Sequence, residues 1–230
     1  AACDDAYYYV FVANCLKKGD FVSAFDYLNL NVYPAILLGL HQLGFDWIVG
    51  GKIWGAVVGS LTVLPMFGWV RRLFDDRVAG MAGFLYAVHP HLIEVSVEPI
   101  REATFWFFLT LSLYFIWRSI DGLRIHDFVI AGAAVALALH TRIEGWALFV
   151  PLAIWAGRRW WILEDNRRRL RLAFGTTALV AVTPLLIIAV NTTVLRDHVQ
   201  WEYGRLNHFS LVGSWMRMIG LPKSDPQLTD

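Results

Sequence analysis

Long uncharged apolar runs alternate with short charged stretches along the chain. The first long run covers 53–70 and is extended upstream by 47–51; the last covers 172–195. Four shorter runs lie between them, at 78–93, 103–117, 128–141 and 145–157. A helix needs about 20 residues to cross about 30 Å of hydrocarbon, so the first and last runs can span as they stand. The other four reach that length only where their polar ends face protein or a water-filled cavity. Upstream, residues 5–18 carry Tyr8, Phe11, Val12, Cys15 and Leu16 at helical spacing, with Gly19 as a stop. Residues 33–43 predict a second short helix beginning at Pro34. Apolar helices of this size outside the spans would lie along a membrane surface.

Charge placement orders the runs. Eleven of the twenty basic residues fall in three short stretches: Arg71, Arg72 and Arg77; Arg118 and Arg124; and Arg158, Arg159, Arg167, Arg168, Arg169 and Arg171. The stretches between them hold only Arg101 and Arg142. Basic loops stay cytoplasmic, which gives an alternation of inside and outside consistent with six crossings. The rival, a single span over 128–157, would place the six-arginine stretch outside. The positive-inside bias selects a re-entering pair with its tip at 140–144. The fold class predicted is therefore all-α: a polytopic transmembrane helix bundle of about six spans, with short amphipathic helices in the first external loop. In this topology residues 1–40, the stretch 94–102, the 140–144 tip and the tail from Arg196 are external. The organisation expected is a transmembrane module over 1–195 whose first span lies upstream, then the start of an external loop or further region at 196–230.

Composition agrees. The chain is 57% hydrophobic and 17% charged with mean hydropathy +0.49, whereas soluble domains are about 45–50% apolar and about 25% charged. A net charge of +1 gives no reason to expect nucleic acid as a partner. Cys3 and Cys15 would stand about 18 Å apart along a helix, too far for a disulfide.

Against this apolar background the acidic clusters are the candidate chemistry. Asp4 and Asp5 precede an aromatic helix. Glu98 and Glu102 lie four apart beside Pro99, so they are expected on one face of a helix whose first turn begins near Glu98. Glu98 reads first as a helix cap and only second as a functional carboxylate. Glu102 opens a segment that must enter the bilayer, where a charge costs about 2.5–3.5 kcal/mol, and this points to function. Arg101 offers a cation for a phosphate or a carboxylate. At the tip, Arg142 and Glu144 must pair with each other or face a polar cavity. His89 and His91 match no strong ligand spacing and read as interfacial. The arginine-rich stretch is topogenic before it is a lipid site, and Asn191-Thr-Thr, at a span's end, carries no weight as a glycosylation triplet.

The order of these features resembles the GT-C membrane glycosyltransferases, in the branch of protein O-mannosyltransferases and lipid A aminoarabinose transferases. "DDAYYYVFVANCLKKGD" matches that branch's first external loop, with Asp5 in place of the usual Glu; Tyr33-Pro34 follows. "GKIWGAVVGSLTVLPMFGWVRRLFDDRVAGMAGFLYAVHP", "EPIREATFWFFLTLSLYFIWRS" and "HTRIEGWALFVPLAI" resemble its next segments, the last with Ile143 in place of Pro. The resemblance covers about residues 4–160. It implies sugar transfer from a polyprenyl-phosphate donor to an acceptor hydroxyl of a glycan, lipid or protein, at the external or periplasmic face of a bacterial plasma membrane. It implies Asp4 as the catalytic carboxylate and places the second acidic residue at Glu102. Asp5 joins them as a catalytic candidate, and Glu98, Arg101, Arg142 and Glu144 are the substrate-binding candidates, the two arginines because a cation offsets a departing phosphate. A divalent metal ion is the one cofactor to look for, with no ligand set named. The alternative is a multi-pass transporter or lipid flippase, against which stand the absence of an internal repeat and the gathering of charge at one face.

Overall fold

A computed structural model describes residues 4–21, 23–24 and 31–193, with side chains for all of these except 4, 183 and 186–193. Among the described residues the chain is helical, without strands. The tail from Arg196, Cys3 and the side chains of Asn191-Thr-Thr lie outside the described residues.

The elements run in order α1 (Asp4–Lys18), α2 (Val32–Gln42), α3 (Trp47–Leu61), α4 (Val63–Leu73), α5 (Asp76–Val88), α6 (Pro90–Ser96), α7 (Glu102–Gly122), α8 (Ile125–Leu139), a 3-10 turn (Ile143–Leu148), α9 (Phe149–Ile162) and α10 (Asn166–Thr193). Asn31, Asp46 and Asp75 cap α2, α3 and α5, each accepting from backbone N–H groups of the first turn. Pro34 therefore sits inside the first turn of α2, which starts two residues before the proline.

Among the described residues, two stretches are long and apolar enough to cross a membrane: Trp47–Leu73, counted through α3 and α4, and Glu102–Gly122. The first bends at Thr62, whose buried hydroxyl donates to Val58 O at 2.7 Å. Pro65 lacks the N–H that would continue the ladder, and this separates α3 from α4. The remaining predicted spans appear as shorter or differently bounded helices. The 78–93 run is divided by Pro90 into α5 and α6. The last run begins earlier than expected, because Arg167–Arg169 and Arg171 are good helix formers and join α10. Only 163–165 separates α9 from α10.

The main core lies between α7, α8, α9 and α10, around Ile116, Phe128, Val135, Leu148, Leu152 and Leu179. A second, smaller core of Tyr9, Ala13, Tyr33, Leu37 and Ile100 joins α1 and α2 to the segment before α7. Arg118 pairs with the fully buried Asp127 at 3.2 Å and closes the α7–α8 turn, where Leu123 takes a left-handed conformation (φ 51°). Arg71 pairs with Asp76, and Arg159 lies near Asp121, at that same end of the bundle. Arg72 lies over Tyr114, four residues from Arg118 along α7.

Candidate active site

The opposite end of α7 gathers segments far apart in sequence. Val32 N–H donates to His140 O at 2.9 Å and Asn31 donates to Thr141 O at 3.2 Å, so the start of α2 is tied to the 140–144 tip. Trp54 of α3 donates its indole N–H to Thr104 of α7 at 2.9 Å. Tyr9 of α1 meets Tyr33 of α2 edge-on, with ring centroids 5.1 Å apart.

A glycine stripe lets the segment before α7 settle on α3. Gly51, Gly55 and Gly59 recur every fourth residue, on one face of the helix. A Cβ at Gly51 would stand 2.8 Å from Pro99 Cβ; at Gly55 it would run into Ser96 O; at Gly59 it would reach Ser96 Oγ at 2.5 Å. The stripe thus seats 96–99 directly against the helix backbone, in the close approach that small residues permit between membrane helices.

This seating changes the expected start of α7. Glu98 and Pro99 lie in a bend, Ile100 N–H donates back to Glu98 O at 2.9 Å, and the helix begins at Glu102. Glu98 and Glu102 are therefore not a pair on one helical face, and Glu98 does not cap α7. The residue before a proline is disfavoured in the α region, and the contacts with α3 hold the bend.

Glu102, at the first position of α7, accepts from Arg142 at 2.8 Å. Glu144 grips the same guanidinium with both oxygens, at 2.7 and 3.1 Å. The tip ion pair expected from the sequence is present, with Glu102 as a third member. The bond from Arg142 holds the Glu144 carboxyl below the usual carboxylate range, and the same bond raises the guanidinium's affinity for its proton. Arg142 also lies 5.8 Å from the ring centre of Phe105. His140 is buried, and His89 and His91 are exposed at the α5–α6 junction.

Arg101 is placed differently. It makes no ion pair among the described residues, and its Nε is buried without a partner. Its guanidinium lies 5.8 Å from the ring centre of Tyr9. Asp5, Tyr8, Tyr9 and Arg101 line a cleft of about 180 Å³. Asp5 and Tyr8 are exposed there. Asp4 lies one residue before Asp5 at the start of α1, and its side chain is outside the described residues. Tyr9 and Tyr33, which the sequence did not single out as site residues, are buried at 4% and 0% exposure beside the site. Burial pushes the Tyr9 phenol up to about 12 and the Tyr33 phenol further in the same direction.

The structure thus brings Asp5, Arg101, Glu102, Arg142 and Glu144 to one end. Glu98 is near them through the 96–100 bend and forms no ion pair with them. Among the described residues no three His, Cys, Asp or Glu side chains converge as a metal site requires. Two of the local carboxylates, those of Glu102 and Glu144, are engaged by Arg142.

No curated protein and no solved structure matches the chain significantly. Residues 32–192 match the family described as dolichyl-phosphate-mannose-protein mannosyltransferase. That stretch includes the glycine stripe, the 98–102 segment and the Arg142 tip. Members are integral membrane proteins that transfer a sugar, which selects the transferase over the transporter or flippase. The chain belongs to the dolichyl-phosphate-mannose-protein mannosyltransferase family.

Proposed function

We propose that this chain forms part of an enzyme that moves a sugar from a polyprenyl-phosphate donor to an acceptor hydroxyl at the external face of the membrane. The observation that carries the reading is the contrast between the two arginines. Arg142 is neutralised by Glu102 and Glu144, whereas Arg101 borders a cleft with an aspartate and has no carboxylate partner among the described residues.

Transfer requires two things of the protein. The acceptor hydroxyl is a weak nucleophile and gains from a carboxylate base within hydrogen-bond reach. The departing polyprenyl phosphate carries growing negative charge that a fixed cation offsets. Asp4 and Asp5 are the proposed base pair of residues, with Asp4 assigned through the family pattern. Arg101 is the proposed phosphate group's partner. Arg142 with Glu102 and Glu144 is the proposed brace that fixes the tip against the start of α7. The arginine-rich end lies away from this cleft, and the positive-inside rule assigns it to the cytoplasm.

The test is transfer of labelled mannose from polyprenyl-phosphate mannose by the full-length protein in membrane vesicles. Asp4→Asn is expected to abolish transfer while polyprenyl phosphate still binds. Near wild-type turnover in that variant would remove the assignment of the base.

A further inference from the structure

Tyr9 stands among four of the site's charges. It lines the cleft together with Asp5, Tyr8 and Arg101. The guanidinium of Arg101 lies over its ring, and Tyr33 supports the ring edge-on from below. Its phenol oxygen is within electrostatic reach of Arg101, Glu102, Asp5 and Arg142 together. That of Tyr33 is within reach of Glu102 and Tyr9.

A buried phenol normally finds a hydrogen-bond partner. Of these two phenol oxygens, the one buried without a partner among the described residues is that of Tyr33; Tyr9, 4% exposed, borders the cleft with Arg101. Tyr9 thus brings an O–H to the cleft beside a guanidinium that has no carboxylate partner among the described residues. A neutral O–H beside a guanidinium is a donor set for an oxyanion. Burial keeps that O–H protonated, so it stays a donor throughout the physiological range.

We propose that Tyr9 is a substrate-contacting residue: its hydroxyl donates to a phosphoryl oxygen of the lipid-linked donor, while its ring seats Arg101 against the same phosphate. The inference rests on the donor assignment made above and adds a second group to it. The ring and the hydroxyl do separate jobs, which makes them separable by substitution. Tyr9→Phe keeps the ring, the seat of Arg101 and the edge contact with Tyr33, and removes only the donor. Tyr9→Leu removes both.

The experiment uses the full-length protein in nanodiscs, with two readouts: affinity for polyprenyl phosphate without sugar, and kcat and KM for polyprenyl-phosphate mannose. Tyr9→Phe is expected to melt like wild type, to bind polyprenyl phosphate roughly tenfold more weakly and to lose a similar factor in kcat/KM. The loss should be the same from pH 5 to pH 9, because the phenol does not ionise there. Tyr9→Leu should lose more than Tyr9→Phe in both readouts, since Arg101 loses its seat. Wild-type affinity and turnover in Tyr9→Phe would overturn the inference and leave the donor assignment standing. Equal losses in both variants with a lowered melting temperature would overturn it too, by reducing Tyr9 to packing. A wild-type protein that neither binds polyprenyl phosphate nor transfers mannose from it would overturn the donor assignment itself.

Discussion

Arg142 is held by three oxygens from two carboxylates, and this sets what can be expected of its neighbours. Glu144 has its carboxyl lowered by that bond, so the pair contributes stability above the ordinary carboxylate range and loses it as pH falls through the lowered value. The side chain of Glu144 is 53% exposed, so solvent screens the contribution and the effect is modest. Melting curves of the detergent-solubilised protein should show stability dropping on acidification below about pH 4.5. Arg142→Gln should flatten that drop and lower the neutral-pH melting temperature. A pH profile unchanged by Arg142→Gln would show that the bond carries no net stability. The residue types at the site were legible in the sequence, because a charge at the edge of an apolar run has few alternatives to function or pairing. Tyr9 and Tyr33 were not, since a tyrosine in an aromatic stretch gives no sign of whether its hydroxyl is buried. The choice between Arg101 and Arg142 was also beyond reach, because it depends on which carboxylates fold back toward which guanidinium.

The elements were legible where apolar length or a capping residue decides them, as in α3 and α7, and less so where tertiary contact decides. Pro99 suggested a helix opening near Glu98, and the packing of 96–99 on the glycine stripe moved that opening to Glu102. The stripe itself was readable as small residues at a spacing of four; what it packs against was not. Gly55→Leu should force 96–98 away from α3, because the new side chain would collide with Ser96 O. Overpacking of this kind costs about 1–3 kcal/mol, so the melting temperature should fall, and mannose transfer should fall with it as Glu102 and Arg101 shift. Gly80, which faces open space on α5, is the control: Gly80→Ala should leave both unchanged. A Gly55→Leu protein that melts and turns over like wild type would mean that the seat does not position the site.

At the scale of the whole molecule, the ends of the bundle are chemically distinct. One end holds Asp5, Glu102, Glu144, Arg101, Arg142, Tyr9 and Tyr33; the other holds Arg71, Arg72, Arg118 and Arg159, with Asp76, Asp121 and Asp127 paired to three of them. The alternation of basic and acidic stretches made this division legible, because topogenic charge follows the membrane. The number of crossings was less legible: among the described residues two stretches have the length and apolarity to span alone, and Pro90 breaks a run that composition alone would count as continuous. A cysteine introduced at Glu164, between α9 and α10, should stay protected from an impermeant maleimide in intact cells; labelling from outside would reverse the proposed orientation. The central claim is that the cleft bounded by Asp5, Tyr9 and Arg101 binds the donor phosphate. Its most direct test is mannose transfer from polyprenyl-phosphate mannose by the full-length protein carrying Arg101→Ala, beside Arg77→Gln at the opposite end. The account predicts a loss of at least about 100-fold for Arg101→Ala, the scale of removing one charge-stabilising donor, with turnover retained in Arg77→Gln. Undiminished transfer in Arg101→Ala would contradict it.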